Sequence, residues 1–571
     1  MPAFPKRRAS YFQYAPLQRN AVLAPRLPAW RSSAVVALLT AGFATLAGRA
    51  LWVQIVEHEF HAAQGEKRHR ITVESPGMRG TIVDRHGALL AVSLTTYEIW
   101  AEPRRMSNTD RQPLAHALGI SATELEQRLS TQRSYVLLKR HVDAATAQQI
   151  AALDIPGVSQ VSASKRFYPE GESVAHIVGF TDVDDAGQEG IELAADTLLA
   201  GEVGSRDVIR DRLGRIVSEL GTPVAPRNGS TVRLTIDRRI QQLAFTQLKA
   251  ALAKHDAQAG SAVVLDAQSG EILALANAPS FDPNRQTGRT GAAVRNRAIT
   301  DTFEPGSTVK PLVVALAMDA GIAQPTTLVH TAPGYYTIGP NTIHDTSNHG
   351  TITVAQAISK SSNIALAKLA LNLPAERLWT MYQDYGVGQK PSLPFPGVAA
   401  GKLRPWERWR PVEQATMGYG YGLSASLLQI AQAYTAFAGD GMLQPAWLVA
   451  SGGEDAVSTF GPAEKRRVTT SASAAAIREM LEDAARTARI DGYRVGGKTG
   501  TAWKHMGSSY AKGKYRSLFV GLAPIQAPRL VVAVMIDEPS RGAYYGGAVA
   551  APVFASIAGG ALQLLGVPPD A

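Results

Sequence analysis

The longest apolar run of the chain lies close to its N-terminus. Ser32–Gly48 is uncharged and mostly apolar, and Ala50–Val56 continues the run after Arg49. A membrane-spanning helix needs about 20 apolar residues, and a charge near the end of a span can reach the polar interface. A cleaved signal peptide fits less well, because the leader is long and no small-x-small site precedes a polar start. We therefore predict an uncleaved single-pass anchor at 32–56.

Short runs with turns and helical patterns follow the anchor. Glycine-punctuated, strand-like runs come first, helical periodicity appears near 111–130 and 143–153, and 166–192 is rich in loop residues. A polar turn feeding a strand at 225–237 is typical of a domain boundary. These patterns predict a separate region over 57–228 in which no paired chemistry is visible.

The remainder of the chain, 229–571, has strands at both ends and helices between them. We expect a helix over Arg238–Lys254, then a hairpin with its turn at 268–270, and an irregular loop over 331–350. Later predicted elements are strands at 493–504, 516–525 and 529–537 and a helix within 550–565. This order predicts one antiparallel sheet that the two ends of the domain close.

The charge distribution indicates a membrane protein. The net charge is +10, and the first 31 residues contain six basic residues, whereas no acidic residue occurs before Glu57. Basic residues on the N-terminal side of a span are typical of a cytoplasmic tail, which places the large C-terminal part outside the cytoplasm. We see no zinc, helix or aromatic motif for binding nucleic acid. Because the chain has no cysteine, it has no disulfides and no thiol chemistry.

The segment TDTFEPGSTVKPLVVALAMDAG, 300–321, contains a serine and a lysine three residues apart. A helix beginning near Ser307 would place Lys310 on the same face, beside a potential nucleophile. The same pair is also compatible with an ordinary helix start. Two other S-x-x-K matches, Ser162–Lys165 and Ser509–Lys512, are expected before a proline-bearing loop and within a Gly/Ser-rich loop. Only Ser307 opens a convincing helix.

Two further motifs follow in order and favour the catalytic interpretation. Ser361 and Asn363 form the only S-x-N of the chain, and Lys498-Thr499-Gly500-Thr501 is the only K-T-G with its following residue. Either motif alone has a structural explanation, as a helix cap or a bulge. The ordered set S-x-x-K, S-x-N and K-T-G is found in class A β-lactamases and penicillin-binding proteins. This combination predicts a serine acyl-transfer site.

On these and other motifs the chain resembles class B penicillin-binding proteins of the FtsI (penicillin-binding protein 3) division transpeptidase family. The resemblance runs from the anchor to the C-terminus and favours the division type, because elongation paralogues usually carry Asp where Asn363 stands. The further motifs are RGTIVDRHG (79–87), GFTDVDDAGQEGIE (179–192), DRLGR (211–215), RNRAITDTFEPGSTVKP (295–311), KSSNIALAKLAL (360–371) and YYGGAVAAPVF (544–554).

The resemblance implies an α+β protein with a cytoplasmic tail at 1–31, an anchor at 32–56, an elongated pedestal domain at 57–228 and a transpeptidase domain at 229–571. The last would hold a five-stranded antiparallel sheet flanked by helices. Because no glycosyltransferase motif is recognisable, the chain would cross-link peptidoglycan without polymerising glycan. Implied partners are peptidoglycan stem peptides, β-lactams, an FtsW-type glycosyltransferase and other division proteins in the inner membrane, with the catalytic domain periplasmic. No metal or organic cofactor is implied.

The resemblance also assigns the catalytic roles. Ser307 would attack the carbonyl of the terminal D-Ala–D-Ala bond, and Lys310 would act as its base if burial and nearby cations lower its pKa. Ser361 would relay a proton to the departing amine. The backbone N–H groups of Ser307 and Thr501 would form the oxyanion hole.

Substrate binding is expected on the remaining motif residues. Asn363 would hold the amide of the substrate, Lys498 would supply positive potential, and the hydroxyls of Thr499 and Thr501 suit the terminal carboxylate. Gly500 belongs to the same binding strand. β-Lactams mimic D-Ala–D-Ala and would acylate Ser307.

Several alternatives stay open at this point. They are an accessory paralogue, a D,D-carboxypeptidase or β-lactamase, and a non-catalytic scaffold of the division machinery. No E-x-x-L-N motif occurs in 364–497, and Glu376 and Glu413 are predicted on helix surfaces, so slow deacylation is expected. The chain departs from the family pattern in a shortened segment before Lys498, in Trp503 and in the doubled Gly-Tyr-Gly at Tyr419.

Overall fold

The structure, a computed structural model, describes residues 28–60, 70–131, 133–210, 216–451, 461–506 and 509–571. The predicted cytoplasmic tail lies almost entirely outside the described residues. The chain divides into two units, the first formed by Met1–Glu74 with Ser205–Ala225 and the second by Ser75–Gly204 with Pro226–Ala571.

The first unit contains a long apolar helix at the predicted anchor. This helix, Ala29–Ile55, leaves its apolar side chains exposed, and Trp30–Ile55 is long and apolar enough to cross a membrane. Arg49 pairs with Glu57 at 3.1 Å, which gives the charge within the span a partner near its end. A three-stranded sheet completes the described part of this unit, with strands in the order Arg70–Ser75, Gly204–Arg210 and Ile216–Val224.

In the second unit, a mixed sheet and three helices are formed mainly by residues that precede 229 in sequence, with strands Val232–Leu234 and Val449–Ser451 added from the later part of the chain. Its neighbouring strands are Val449–Ser451, Val232–Leu234, Ile82–Val83, Leu89–Ala101 and Val136–Val142, and Val158–Phe167 pairs with Leu89–Ala101. The helices are Asn108–Leu118, Ala122–Leu129 and Ala144–Ala152. They bury Leu114, Leu125 and Ile150 against the sheet residues Ile99 and Leu138. Their positions agree with the helical periodicity of the sequence.

Two sequence motifs of this region meet in a buried ion cluster. The carboxylate of Glu192, from GQEGIE, accepts hydrogen bonds from Arg79, of RGTIVDRHG, at 2.6 Å and from Arg166 at 2.7 Å. All three side chains are almost completely buried, and removal of one partner from such a cluster would leave an uncompensated charge. These motif residues are therefore structural. Short elements complete the region: Pro103–Arg105, Gly171–Ser173, Ala175–Val178, Phe180–Thr181, Gly187–Glu189, Gly190–Ala194 and Asp196–Leu199.

The catalytic domain is built on a five-stranded antiparallel sheet, as predicted. We label its strands β1 (Ala259–Asp266), β2 (Ile272–Ala278), β3 (Gly496–Met506), β4 (Ser509–Ala523) and β5 (Leu530–Asp537). The spatial order is β2-β1-β5-β4-β3, so the first and last segments of the domain pair directly, for example at Ala262 and Val534. Strand β3, which carries the K-T-G motif, is an edge of this sheet.

Helices cover both faces of this sheet. Helices α1 (Arg238–His255) and α6 (Gly546–Leu564) pack on one face, where Phe245, Leu248 and Phe554 lie in a common core. On the other face lies a larger hydrophobic core, which includes residues of helices α2 (Lys310–Asp319), α3 (Asn363–Leu371), α4 (Leu427–Ala438) and α5 (Ser471–Ala484). Smaller helices of the second unit are Gly291–Ala293, Arg297–Thr300, Val354–Ser359, Ala375–Asp384, Trp406–Arg408 and Pro411–Met417, and two short strands, Met442–Leu443 and Arg466–Arg467, pair with each other.

Two local expectations are wrong. The segment 331–350 is not irregular throughout, because Tyr335–Ile338 and Asn341–His344 form a hairpin beside the pair Leu328–His330 and Thr351–Thr353. The Ser509–Lys512 match lies on strand β4 rather than in a loop. In both cases local strand pairing overrides the pattern read from composition. The helix expected near Ser307 is present: it begins as a 3-10 turn, Gly306–Val309, and is α-helical from Lys310.

Candidate active site

Ser307 lies in the 3-10 turn that leads into helix α2. Gly306 adopts a φ of +54°, which glycine tolerates without strain, and the Thr308 hydroxyl donates to the carbonyl of Pro305 at 2.8 Å. The buried hydroxyl of Tyr434 donates to the carbonyl of Thr308 at 2.7 Å. The turn is thus fixed from within and by helix α4. Ser307 is in the first turn of this helix, where backbone N–H groups lack the i−4 acceptors of the helix interior.

The glycine-rich segment GYGYG packs directly on the serine turn. The N–H of Gly306 donates to the carbonyl of Gly420 at 3.1 Å. Gly420 has a φ of +85°, and a Cβ at this position would lie 2.1 Å from the carbonyl oxygen of Gly306. Only glycine therefore permits this approach of the two backbones.

Lys310 is fully buried and points to the S-x-N motif. Its Nζ donates to the carbonyl oxygen of Ser361 at 2.6 Å, to Oδ1 of Asn363 at 2.9 Å and to Oγ of Ser361 at 3.2 Å. Burial lowers the pKa of Lys310 well below its usual value, and the charge of Lys498 lowers it further. The neutral amine is the form that can accept a proton.

Lys498, from the K-T-G motif, contacts the same serine, Ser361. Its Nζ donates to Oγ of Ser361 at 3.0 Å and to the carbonyl of Thr499 at 3.1 Å. Burial lowers the pKa of Lys498 to about 7. Ser361 itself has a φ of +56°, an uncommon conformation for a residue with a side chain that is often found at functional sites.

Asp345 holds the S-x-N segment in place. Its carboxylate accepts from the Ser362 hydroxyl at 2.6 Å and from the backbone N–H groups of Asn363 at 2.6 Å and Ile364 at 3.0 Å. These N–H groups begin helix α3, where a carboxylate also interacts favourably with the helix dipole. The amide of Asn363 donates to the carbonyl of His344 at 3.0 Å. The hairpin of 335–344 therefore positions Ser361 and Asn363.

Strand β3 approaches the serine turn closely. A Cβ on Gly500 would lie 2.9 Å from Cγ2 of Thr308 and 3.2 Å from the carbonyl oxygen of Pro305. The hydroxyl of Thr501 accepts from the N–H of Gly546 at 3.0 Å, at the start of helix α6. The last two motif residues thus lie beside Ser307, as the sequence predicts.

Glu304 links the serine turn to two other segments at the rim of the site. One carboxylate oxygen accepts from the N–H of Gly422 at 2.9 Å and the other from the hydroxyl of Tyr510 at 2.9 Å. The ring of Tyr510 lies against Tyr421, with centroids 6.4 Å apart. The rim therefore combines the segment before Ser307, the glycine-rich segment and strand β4.

The fold brings the three predicted motifs together around Ser361 and the serine turn. Ser361 connects the amines of Lys310 and Lys498, while the hydroxyl of Ser307 forms no hydrogen bond within the described part of the chain. Catalytic hydrogen bonds are often long before substrate binds, so this geometry is compatible with Lys310 as the base. The arrangement thus combines a serine hydroxyl, a buried amine whose pKa is lowered, and a second buried amine that shares the hydroxyl of Ser361 with it.

Two family models match the chain. The penicillin binding protein transpeptidase domain covers residues 260–559, and the penicillin-binding protein dimerisation domain covers residues 74–234. The chain belongs to the penicillin-binding protein transpeptidase family. The cleft around Ser307 lies within the matched transpeptidase domain.

Full-length relatives of this penicillin-binding protein are known from several bacteria. The probable peptidoglycan D,D-transpeptidase PenA of Neisseria gonorrhoeae is 41% identical over 94% of this chain and 93% of its own length. The peptidoglycan D,D-transpeptidase FtsI of Escherichia coli is 35% identical over 95% of this chain and 93% of its own length.

Solved structures of the family have the same fold. Penicillin-binding protein 3 of Mycobacterium tuberculosis in complex with aztreonam superposes with a TM-score of 0.67 at 28% identity, over 87% of this chain and 98% of that one. The transpeptidase domain of penicillin-binding protein 3 of Burkholderia pseudomallei is 46% identical, with a TM-score of 0.53, over 59% of this chain and 98% of its own.

Asp345, Glu304 and Gly420 contribute to the site but were not predicted from the sequence. Asp345 stands in a segment that was expected to be irregular, so its capping role had no sequence signal. Glu304 and Gly420 lie close to recognisable motifs, but their contacts are with residues far away in the chain, which the sequence pattern does not show. His176, whose residue type would suit a metal ligand, is instead buried and hydrogen-bonded to the carbonyl of Ala293 at 2.7 Å.

Proposed function

We propose that this protein is a peptidoglycan D,D-transpeptidase that cross-links stem peptides during septal wall synthesis through an acyl-enzyme on Ser307. The observation that carries the proposal is the buried amine pair of Lys310 and Lys498 on the hydroxyl of Ser361, next to the serine turn. Relatives that are named D,D-transpeptidases and that match nearly the whole chain support it. The FtsI name of one relative supports the division role.

Acylation begins with the hydroxyl of Ser307. Its oxygen attacks the carbonyl carbon of the terminal D-Ala–D-Ala bond, and its proton passes to the neutral amine of Lys310. The negative charge that develops on the carbonyl oxygen is stabilised by the N–H groups of Ser307 and Thr501. When the C–N bond breaks, the leaving D-Ala amine takes up a proton through Ser361, which contacts both lysines.

The same groups serve the second half of the reaction in reverse. The amine of a neighbouring stem peptide attacks the ester carbonyl, loses a proton to the lysine–Ser361 network, and forms the new amide while Ser307 recovers its hydroxyl proton. Asn363 holds the donor amide, and Lys498, Thr499 and Thr501, with the close approach that Gly500 allows, receive the terminal carboxylate. A β-lactam follows the first half and leaves an ester on Ser307.

The surroundings of Glu413 support slow hydrolysis of that ester. Glu413 accepts from the N–H of Arg410 at 2.8 Å and pairs with Arg404 at 2.7 Å. The hydrogen bond from the N–H of Arg410 and those from the side chains of Arg404 and Arg410 lower the pKa of Glu413 to about 2. The carboxylate is therefore a poor base. Glu413 is thus engaged in a partly buried ion pair with Arg404, which favours a transpeptidase and penicillin target over a β-lactamase.

The location and partners follow from the same proposal. The apolar helix Ala29–Ile55 would anchor the chain in the inner membrane, and the basic residues before it would place the catalytic domain in the periplasm. An FtsW-type glycosyltransferase would supply the glycan strands that carry the stem peptides. The described chain provides the cross-linking site only.

The proposal is tested by incubating the full-length protein in detergent with benzylpenicillin and following its intact mass over hours, with Ser307→Ala as the control. We expect a stoichiometric adduct that persists in the wild type and is missing in the variant. Loss of the adduct within seconds would identify a hydrolase instead. An unmodified wild-type protein would contradict the catalytic role and favour a scaffold.

A further inference from the structure

A groove of about 510 Å³ lies beside the catalytic cleft and takes no part in the chemistry above. Five segments of the chain line it, and the side chains that matter here are Phe303, Glu304, Lys402, Arg404, Trp503 and Arg516. Glu304 precedes the serine turn directly, and Trp503 follows Thr501 on strand β3. The groove therefore begins where the catalytic cleft ends.

The groove has an excess of positive charge. Its three cationic side chains face one carboxylate, Glu304, whose two oxygens are already occupied by the N–H of Gly422 and the hydroxyl of Tyr510. Of these cations, Lys402 is the one that an entering carboxylate could pair with, because the described chain provides it with no carboxylate partner.

Two of the cations have partners outside the groove lining. Arg404 pairs with Glu413 at 2.7 Å, and Arg516 contacts Asp537 at 3.2 Å while its guanidinium lies 5.5 Å from the ring centre of Phe303. These contacts hold both arginines in place but use only part of their hydrogen-bonding capacity, since a guanidinium has five N–H donors.

Lys402 is the cation that has no carboxylate partner in the described part of the chain. Its side chain is exposed, but its backbone is fixed by two hydrogen bonds with Ser424, at 2.9 and 2.8 Å. The preceding Gly401 allows this pairing, because a Cβ there would lie 2.2 Å from the carbonyl oxygen of Ser424. The backbone of Lys402 is thus fixed at the rim of the groove, and its side chain is exposed there.

Strand β3 leads a bound peptide from the catalytic serine to this groove. Strand β3 is an edge strand of the sheet, and an extended peptide can bind along such an edge as an added strand. With its terminal carboxylate at Thr499, the upstream part of the peptide must run past Thr501 toward Trp503. Trp503 is 40% exposed and forms an apolar wall at this point.

We propose that the groove binds a carboxylate-bearing segment of the donor stem peptide upstream of the scissile bond, with Lys402 as the residue that pairs with the carboxylate. The inference rests on the proposed function, since it requires the peptide end to be held at Ser307. It identifies Lys402 as a specificity-determining residue, which selects acidic over neutral peptides. A small β-lactam that fills only the catalytic cleft does not sense this residue.

The test compares two synthetic peptides that end in D-Ala–D-Ala and differ only in an upstream side chain, a carboxylate in one and its amide in the other. The full-length protein in detergent is assayed for D-Ala release, and kcat/KM is determined for each peptide. Variants are Lys402→Met, Lys402→Glu and the control Lys254→Met, which removes an exposed lysine from helix α1.

We expect the wild type and Lys254→Met to prefer the acidic peptide by about fivefold, the effect of a partly exposed ion pair. Lys402→Met should lose the preference, and Lys402→Glu should reverse it, while both variants react normally with benzylpenicillin. A preference that survives in both Lys402 variants, or that is missing in the wild type, would overturn the proposal. Failure of the wild type to react with either peptide and with benzylpenicillin would instead refute the proposed function.

Discussion

Lys310 and Lys498 donate hydrogen bonds to the same oxygen, the hydroxyl of Ser361, at 3.2 and 3.0 Å. A hydroxyl oxygen has two lone pairs, so the two lysines fill its capacity as an acceptor. Both amines are buried, and two positive charges at these distances would repel each other strongly. The pair is therefore most stable when at least one amine is neutral, which is the state that acylation requires.

The first prediction concerns the pH dependence of acylation by benzylpenicillin. Because burial and the charge of Lys498 lower the pKa of Lys310, the second-order rate constant should rise with pH as Lys310 loses its proton. It should fall again above about pH 7, where Lys498 becomes neutral and no longer attracts the carboxylate of the β-lactam. Stopped-flow or mass measurements between pH 5 and 9 check this bell shape.

The variant Lys498→Met is the control for the alkaline limb of that profile. It should react more slowly at every pH and show no decline above neutrality. A wild-type rate constant that does not vary across this range would contradict the assignment of both lysines.

The second prediction is that stability rises with pH because of Lys498. In the folded protein its pKa is about 7, whereas an unfolded lysine titrates near 10.4, so the unfolded state binds more protons between these values. The free-energy cost of burying the charged Lys498 is complete below pH 7, and it decreases by about 1.4 kcal/mol per pH unit up to about pH 10. In thermal unfolding at pH 6, 8 and 10, the stability of the wild type relative to that of Lys498→Met should increase with pH. A constant difference between the two would refute the lowered pKa.

The third prediction assigns a positioning role to Asp345. Asp345→Ala removes the acceptor of the Ser362 hydroxyl and of two N–H groups at the start of helix α3. We expect a loss of about 2 kcal/mol in stability, as for a lost helix cap, and at least a tenfold slower acylation because Ser361 leaves its strained conformation.

Asp319→Ala is the matched control for that experiment. Asp319 accepts from the hydroxyls of Thr469 and Thr470 at 2.6 Å, at the far end of the helix that begins at Lys310. This variant should lose comparable stability and keep the acylation rate. Equal effects of both variants on acylation would mean that Asp345 acts only through global stability.

The fourth prediction concerns the contact of Gly420 with Gly306. In Gly420→Ala the new Cβ would collide with the carbonyl oxygen of Gly306, so the serine turn must move. We expect acylation to slow at least a hundredfold, since a displacement of about 1 Å has effects of this size. Gly321→Ala is the control, because Gly321 has a φ of +70° and a Cβ there would have no atom of the described chain within 4 Å. An unchanged rate in Gly420→Ala would show that the turn tolerates movement.

The sequence predicted the catalytic sheet well because its signals are local. The hairpin of β1 and β2 and the helix that begins at Arg238 have strong periodicity and clear turn residues, and both lie close to their predicted positions. The motif residues were identifiable because S-x-x-K, S-x-N and K-T-G occur together in class A β-lactamases and penicillin-binding proteins.

Contacts between distant segments could not be predicted in the same way. The hairpin that presents Asp345 has no alternation of apolar and polar residues, because most of its side chains are exposed or half-exposed. The contact of Tyr510 with Glu304 depends on the length of strand β4, which extends beyond the predicted run. The order of the motifs therefore indicated the reaction, while the geometry that supports it required the structure.

The burial of Lys310 and Lys498 serves the proposed catalysis but lowers the stability of the fold. An amine in the protein interior costs free energy that an apolar side chain of similar size does not, and stabilising changes are often costly at functional sites. Selection of variants for heat resistance alone would therefore favour loss of these amines and yield robust proteins without activity. Screens for stable forms of this enzyme need a simultaneous penicillin-binding readout.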